Sequence, residues 1–180
     1  MKYLLVSDIH GCLPNLEKVI RFFNEGSYDM MLILGDIMNY GPRNGVPEGL
    51  DAQGVAAALN QLSSKIAAIR GNCDSEVDQM LLSFPCMGDY AMVVENGTRI
   101  FMTHGHRYKP SDLAEGSFDV FVSGHTHLWS LERKDGAVIC NTGSITFPKQ
   151  GKDATFATLD EDSVMRIRDL DGSVLASLSL

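Results

Sequence analysis

The chain has 180 residues, 44% hydrophobic and 21% charged, with a formal net charge of −8. That is the composition of one ordinary globular domain, here taken as residues 1–180, long enough to bury a core without staples. Cys12, Cys73, Cys86 and Cys140 show no paired spacing, and the apolar run Tyr3 to Val6 meets Asp8 too soon for a signal peptide or a membrane span, so a reduced, cytoplasmic protein without membrane attachment is expected.

The acidic balance also argues against wrapping a long nucleic acid, because such affinity rests on basic side chains neutralising phosphates. A small phosphorylated substrate stays open, since a local cation can override the global charge.

In chain order, the first apolar run is "YLLVSDIHG", and its companions are "MMLILGD", "IAAIRGN", "RIFMTHGH" and "VFVSGHTH". Each is a short apolar stretch closed by a polar cluster, the pattern of a strand buried on both faces. Between the first two, Leu13, Leu16, Val19, Ile20 and Phe23 share one helical face, with Pro14 near the start and Gly26 near the stop. "DAQGVAAALNQL" is a second helical candidate, and "DSEVDQMLL" a third with Asp74 or Ser75 as N-cap. Alternating strand and helix predicts parallel pairing in the first half.

The loop Asn39 to Asp51 is rich in Gly and Pro and carries Arg43; a plain connection and a substrate-facing wall are equally weighted for it. Farther on, Asn96-Gly97, Asp135-Gly136 and Asp171-Gly172 separate runs that can pair as hairpins. The expected architecture is α/β, two mixed β-sheets packed as a sandwich and flanked by helices.

All five histidines lie in the polar clusters: His10, His104, His106, His125 and His127. A lone histidine is usually structural, but scattered structural histidines do not all gather at strand ends, where Asp8, Asp36 and Asn72 also stand. Asp8 and His10 are two apart, as are His125 and His127, so in locally extended chain each pair projects to one side. Asp8, His10, Asp36, Asn72, His104, His125 and His127 make seven candidate ligands, too many for one tetrahedral ion. Two divalent ions account for that number better, with Asp36 as the bridge. Nitrogen and oxygen donors without thiolate suit Mn²⁺, Fe or Zn²⁺ better than Ca²⁺.

The ordered series "DIHG", "GD", "GN", "HGH" and "GHTH" resembles the calcineurin-like metallophosphoesterase superfamily, and "GNCD" in so short a chain looks like its YfcE-type phosphodiesterase branch. The motifs run from Asp8 to His127; the remainder is expected to complete the second sheet. The resemblance implies that Asp8, His10, Asp36 and His127 hold one metal and that Asp36, Asn72, His104 and His125 hold the other. Mn²⁺ stands first, with Mg²⁺, Ni²⁺, Co²⁺, Zn²⁺ or Fe as alternatives. It further implies hydrolysis of phosphodiester bonds in small substrates by in-line attack of a metal-bridging hydroxide.

In that pattern a histidine normally follows the asparagine and helps the leaving oxygen depart, and here Cys73 replaces it. A thiol is a weak donor lying close to the backbone, so Cys73 is read as a bystander that marks an absent acid rather than as a nucleophile. Catalytic roles are assigned to Asn72, to Asp74 as a buried orienter or helix cap, and to His106 as an orienter of His104 or a substrate contact. Arg43 and Lys149 are read as solvated or phosphate-facing, and Trp129 as packing. A phosphomonoesterase is the near alternative, and a non-catalytic scaffold of the same fold, as in a retromer subunit, the remoter one. Homo-oligomerisation is left open.

Overall fold

A computed structural model describes residues 1–180. The first three strands, β1 (Tyr3–Val6), β2 (Met30–Ile33) and β3 (Ile66–Ala68), alternate with helices α1 (Leu13–Glu25) and α2 (Ala52–Asn60), as the periodicity predicts. All three strands are mutually parallel. In α1, Leu16, Val19 and Phe23 are buried while Leu13 and Ile20 pack at the margin, so the predicted apolar face is the real one. Helix α2 is capped by Asp51, whose carboxylate accepts the Gly54 N–H at 2.8 Å. Helix α3 (Glu76–Leu81) has Ser75 as its N-cap, not Asp74, with the Asp78 carboxylate accepting the Ser75 N–H at 2.6 Å.

The second half supplies β4 (Tyr90–Glu95), β5 (Thr98–Thr103), β6 (Val120–Ser123), β7 (Ser130–Lys134), β8 (Ala137–Asn141), β9 (Thr155–Leu159), β10 (Val164–Asp169) and β11 (Val174–Ser179). Each predicted turn joins an antiparallel pair: β4 with β5, β7 with β8, and β10 with β11. The sheet orders are β11-β10-β9-β1-β2-β3 and β4-β5-β6-β8-β7.

One expectation is corrected here. The residues after the last motif do not all finish the second sheet; β7 and β8 do, whereas β9 to β11 extend the first, with β9 running antiparallel to β1. The reason is burial: β9 is enclosed along its whole length, which only a place inside the sheet beside β1 provides.

The strand runs are continuously apolar because the first sheet is covered on both faces. Leu4, Val6, Met31 and Ile33 face α1 and α2, while Tyr3, Leu5 and Leu32 face Ile100, Met102, Val120 and Val122 of the second sheet. Within the second sheet β5, β6 and β8 run parallel. The carboxyl ends of β1, β2, β3, β5 and β6 therefore each open directly into one of the five polar clusters.

Candidate metal centre

The polar clusters converge at one edge of the sandwich. Asp8, His10, Asp36, His104 and His127 are buried there, and their ligand atoms lie close together. Asp8 Oδ1 is 3.1 Å from His127 Nε2 and 3.4 Å from His10 Nε2, and Asp36 Oδ2 is 3.5 Å from His104 Nε2. Asn72 Oδ1 approaches His104 Nε2 at 3.2 Å, and the His125 ring centroid lies 5.0 Å from that of His104. All seven sequence-predicted ligand positions are thus brought to one place.

The convergence does not come from extended chain. Asp8, His10, Asp36, His125 and His127 all have φ between 49° and 68°, the left-handed region that non-glycine residues avoid. Two left-handed residues flanking one ordinary residue turn both side chains inward, and the strain is sustained because the surrounding structure fixes it. Glycine is required where those turns touch. A Cβ on Gly71 would stand 2.1 Å from Asp36 Oδ1, and one on Gly124 would stand 1.9 Å from Ser7 Oγ.

Hydrogen bonds settle which imidazole nitrogen faces the site. His10 Nδ1 donates to the Asn39 carbonyl at 2.8 Å, His104 Nδ1 to the Leu34 carbonyl at 2.7 Å and His127 Nδ1 to the Phe147 carbonyl at 2.9 Å. A carbonyl oxygen only accepts, so each Nδ1 carries a proton and each Nε2 is left for the interior. His10 Nε2 and His127 Nε2 then stand 3.3 Å apart, beside an Asp8 Oδ1 that is buried without a hydrogen-bond partner. Lone pairs aimed at one another and at carboxylates repel unless a cation lies among them, so the donor set fits bound metal. Asp8, His10 and His127 form one group able to hold an ion, and Asp8, Asp36 and His104 another.

The electrostatics of the cluster point the same way. Burial alone would raise both carboxylic acids, yet the neighbouring imidazoles of His10 and His127 hold Asp8 far below the usual range, and His104 lowers Asp36. Burial opposes charge on His104 as well, but Asp36 and Asp8 overcome it and lift it to about 9; His10 is raised in the same way. This pocket demands positive charge. Burial, with His104 as a neighbour, lowers His125 and His106.

Around this cluster stand its supports. Asp74 is buried, and its carboxylate accepts the N–H groups of Asp36 (2.7 Å), Ile37 (2.8 Å) and Gly71 (2.7 Å), tying the β2 and β3 turns together. Burial raises its pKa, against those three donors. His106 does not orient His104, because the Leu34 carbonyl does; its own Nδ1 is buried without a partner. Cys73 enters a third possible ion group with His10 and Asp36, which a thiol-free ligand set did not anticipate. Burial and the Asp36 carboxylate push that thiol up to about 12, which holds it as S–H. Arg43 and Lys149 both line a cleft of about 640 Å³ over the cluster, so the Asn39–Asp51 loop is a wall and not a plain connection.

Several supports had no side-chain signature. Leu34, Asn39 and Phe147 act through backbone carbonyls. Ser7, whose Oγ donates to Asp8 Oδ2 at 2.6 Å, and Ser144, whose Oγ donates to the Asp8 carbonyl at 2.9 Å, were also missed. Ser144 could have been found: "AVICNTGS" is one more apolar run closed by a polar cluster.

Comparison with known proteins agrees with this geometry. The family model of the calcineurin-like phosphoesterase superfamily domain matches residues 1–164. The chain is 43% identical to Phosphodiesterase YfcE of Escherichia coli K12, over 100% of this chain and 98% of that one. A solved structure of the E. coli phosphoesterase Yfce superposes with a TM-score of 0.94 at 42% identity, covering 99% of each chain. Vacuolar Protein Sorting 29 of Cryptosporidium parvum matches at 18% identity with a TM-score of 0.68, over 99% of this chain and 98% of that one, which is likeness of fold alone.

Proposed function

This chain belongs to the calcineurin-like phosphoesterase superfamily, and from that premise we propose that it is a dinuclear-metal-dependent phosphodiesterase acting on small substrates. The observation that carries the proposal is the set of inward-facing Nε2 atoms around Asp8 and Asp36, each backed by a carbonyl on Nδ1. Similarity to a named phosphodiesterase along the full length supports the reaction class.

In this reading Asp8, His10, Asp36 and His127 hold one ion, and Asp36, Asn72, His104 and His125 the other, with Mn²⁺ the expected metal. When bound, such a pair supplies Lewis-acid charge neutralisation at phosphoryl oxygens and lowers the pKa of water. The chain's own residues set the frame for that chemistry. His10, His104 and His127 are kept in one tautomer and one orientation by their carbonyl partners. Asp74 fixes the turns that carry Asp36 and Asn72, which makes it a positioning residue. Asn72 turns its Oδ1 toward His104 and donates from Nδ2 to Cys73 Sγ at 3.2 Å, which leaves its second amide N–H for a phosphoryl oxygen in the cleft. His106 lies at the rim of the histidine cluster, its ring 5.3 Å from His104, and is assigned to its packing.

No side chain replaces the missing leaving-group acid. Cys73 lines the cleft where that acid would stand, and a thiol is a weak donor close to the backbone, so diesters with good leaving groups are favoured over monoesters, whose departure gains most from a proton. A scaffold role is disfavoured because every ligand position carries a competent side chain. The test is to strip the protein with chelator and assay bis(4-nitrophenyl) phosphate and 4-nitrophenyl phosphate with Mn²⁺, Mg²⁺, Zn²⁺, Ni²⁺ and Co²⁺ in turn. Mn²⁺ is expected to restore diester cleavage. Silence with every metal on both esters would favour the scaffold.

A further inference from the structure

The cleft contains two cations with no partner in the chain. Arg99 pairs with Asp119, Arg107 with Asp89, Arg166 with Asp160 and Asp162, and Arg168 with Asp160. Arg43 and Lys149 join no ion pair; both are exposed, and both line the cleft over the metal cluster. Asp36 is the one carboxylate residue in the lining against these two cations, so in a chain of net charge −8 the cleft is a local reversal of sign.

Each cation is carried on backbone fixed to a site histidine. The Arg43 turn starts at Asn39, whose carbonyl holds His10 Nδ1 and whose Oδ1 accepts the Gly41 N–H at 2.8 Å. Asn44 closes it, its Nδ2 donating to the Tyr40 carbonyl at 2.9 Å. The Lys149 N–H donates to the His127 carbonyl at 3.2 Å, two residues after Phe147, whose carbonyl accepts from His127 Nδ1. The bases of both cations are thus held in register with the centre, although their tips are free. The walls between them are mostly polar: Cys73 is the one hydrophobic residue of the cleft lining, with the Pro42 ring beside Arg43. An aromatic or alkyl arm finds no large apolar side chain there, whereas a carboxylate or phosphate finds a guanidinium and an ammonium.

We propose that Arg43 and Lys149 form a specificity clamp for a second anionic group, so that the preferred substrates are small phosphodiesters with a carboxylate or phosphate on one arm. This rests on the phosphodiesterase reading. The reacting phosphodiester needs no help from the clamp for its own single charge, which the ions at the centre meet; the clamp recognises the arm. A shared carboxylate or phosphate chemistry serves equally, because both are planar-faced or tetrahedral oxyanions that a guanidinium can grip in two-point fashion.

The experiment uses two aryl diesters of nearly the same shape, 4-nitrophenyl 2-carboxyethyl phosphate and 4-nitrophenyl propyl phosphate, with the Mn²⁺-loaded full chain. In both, water adds to phosphorus, the aryl P–O bond breaks and 4-nitrophenolate departs, so the arms alone differ. The wild type should prefer the carboxyethyl ester in kcat/KM by about ten-fold, two partly exposed charge contacts being of that order. Arg43→Gln with Lys149→Gln should bring the ratio close to one while metal content stays at the wild-type value. Calorimetry supplies a readout independent of turnover: 3-phosphonopropionate should bind the wild type more tightly than propylphosphonate, and the double variant should lose that difference. Equal rates on both esters in the wild type, or an equal fall on both in the variant, would overturn the clamp while leaving the phosphodiesterase reading in place. Failure to cleave either ester would overturn that reading itself, and the clamp with it.

Discussion

The two sheets bring unlike chemistry to the same edge. Loops after β1, β2 and β3 of the first sheet carry both carboxylates, the amide of Asn72 and one imidazole, His10; loops after β5 and β6 of the second carry only imidazoles, His104, His125 and His127. Neither set could hold a pair of ions alone. Bonds across the seam join them: His104 Nδ1 donates to the Leu34 carbonyl, the His125 N–H donates to Asp8 Oδ2 at 2.9 Å, and Ser144 Oγ reaches the Asp8 carbonyl. The lesson is that the ligand field is a property of the stacked sandwich. It follows that damage to the acidic half, to the seam and to the margins should differ in size.

The acidic half should be the most sensitive. Asp36→Asn removes the carboxylate that both groups of imidazoles approach, and diester turnover should fall by about 10³-fold, with bound metal reduced and the fold kept. Elemental analysis beside a circular dichroism spectrum checks all three; normal metal content and normal activity would refute the bridging role.

The seam comes next. Gly124→Ala places a methyl group within 1.9 Å of Ser7 Oγ and 2.6 Å of Asp8 Oδ2, so the sheets' ends must shift apart. Misplacement on the ångström scale costs about 10²-fold in rate, to be read from kcat/KM together with the thermal midpoint. A variant as fast and as stable as the parent would mean that the seam is looser than described. A smaller loss is expected for Asp74→Asn, which keeps the shape but weakens the acceptor for three backbone N–H groups. About ten-fold lower metal affinity, measured by Mn²⁺ titration, is the predicted outcome.

Smallest of all is Cys73→Ala, expected to retain most aryl-diester activity, about half or more, because a good leaving group departs without an acid and the thiol is not a needed ligand. Cys73→His, by contrast, should raise the rate on alkyl esters relative to aryl ones, since it restores a leaving-group acid. Collapse of aryl turnover in Cys73→Ala with metals intact would reinstate a catalytic thiol.

Much of this was legible in the sequence, and the reasons are local. Apolar runs closed by polar clusters give the strands of both sheets, and Asn-Gly and Asp-Gly give the hairpins, because those signals are written in consecutive residues. The destination of β9 to β11 was not legible, since a strand's sheet is chosen by distant partners such as β1. For the site, the candidate ligand side chains announced themselves by clustering at strand ends. Their geometry did not: left-handed φ at Asp8 or His127 has no residue-type signature outside glycine, and the carbonyls of Leu34, Asn39 and Phe147 belong to the backbone that every residue has. The clamp cations fall between these cases. Arg43 and Lys149 were visible as charges, but only the folded chain shows that they have no partner.

The dinuclear centre is the claim on which the rest depends, and a Mn²⁺ titration of chelator-stripped protein, counting bound metal while following bis(4-nitrophenyl) phosphate cleavage, tests it most directly. No turnover is expected in the stripped chain, with a rise to a plateau as occupancy reaches two ions per chain. Undiminished turnover in the stripped chain, or full activity at one ion with no second bound, would contradict it.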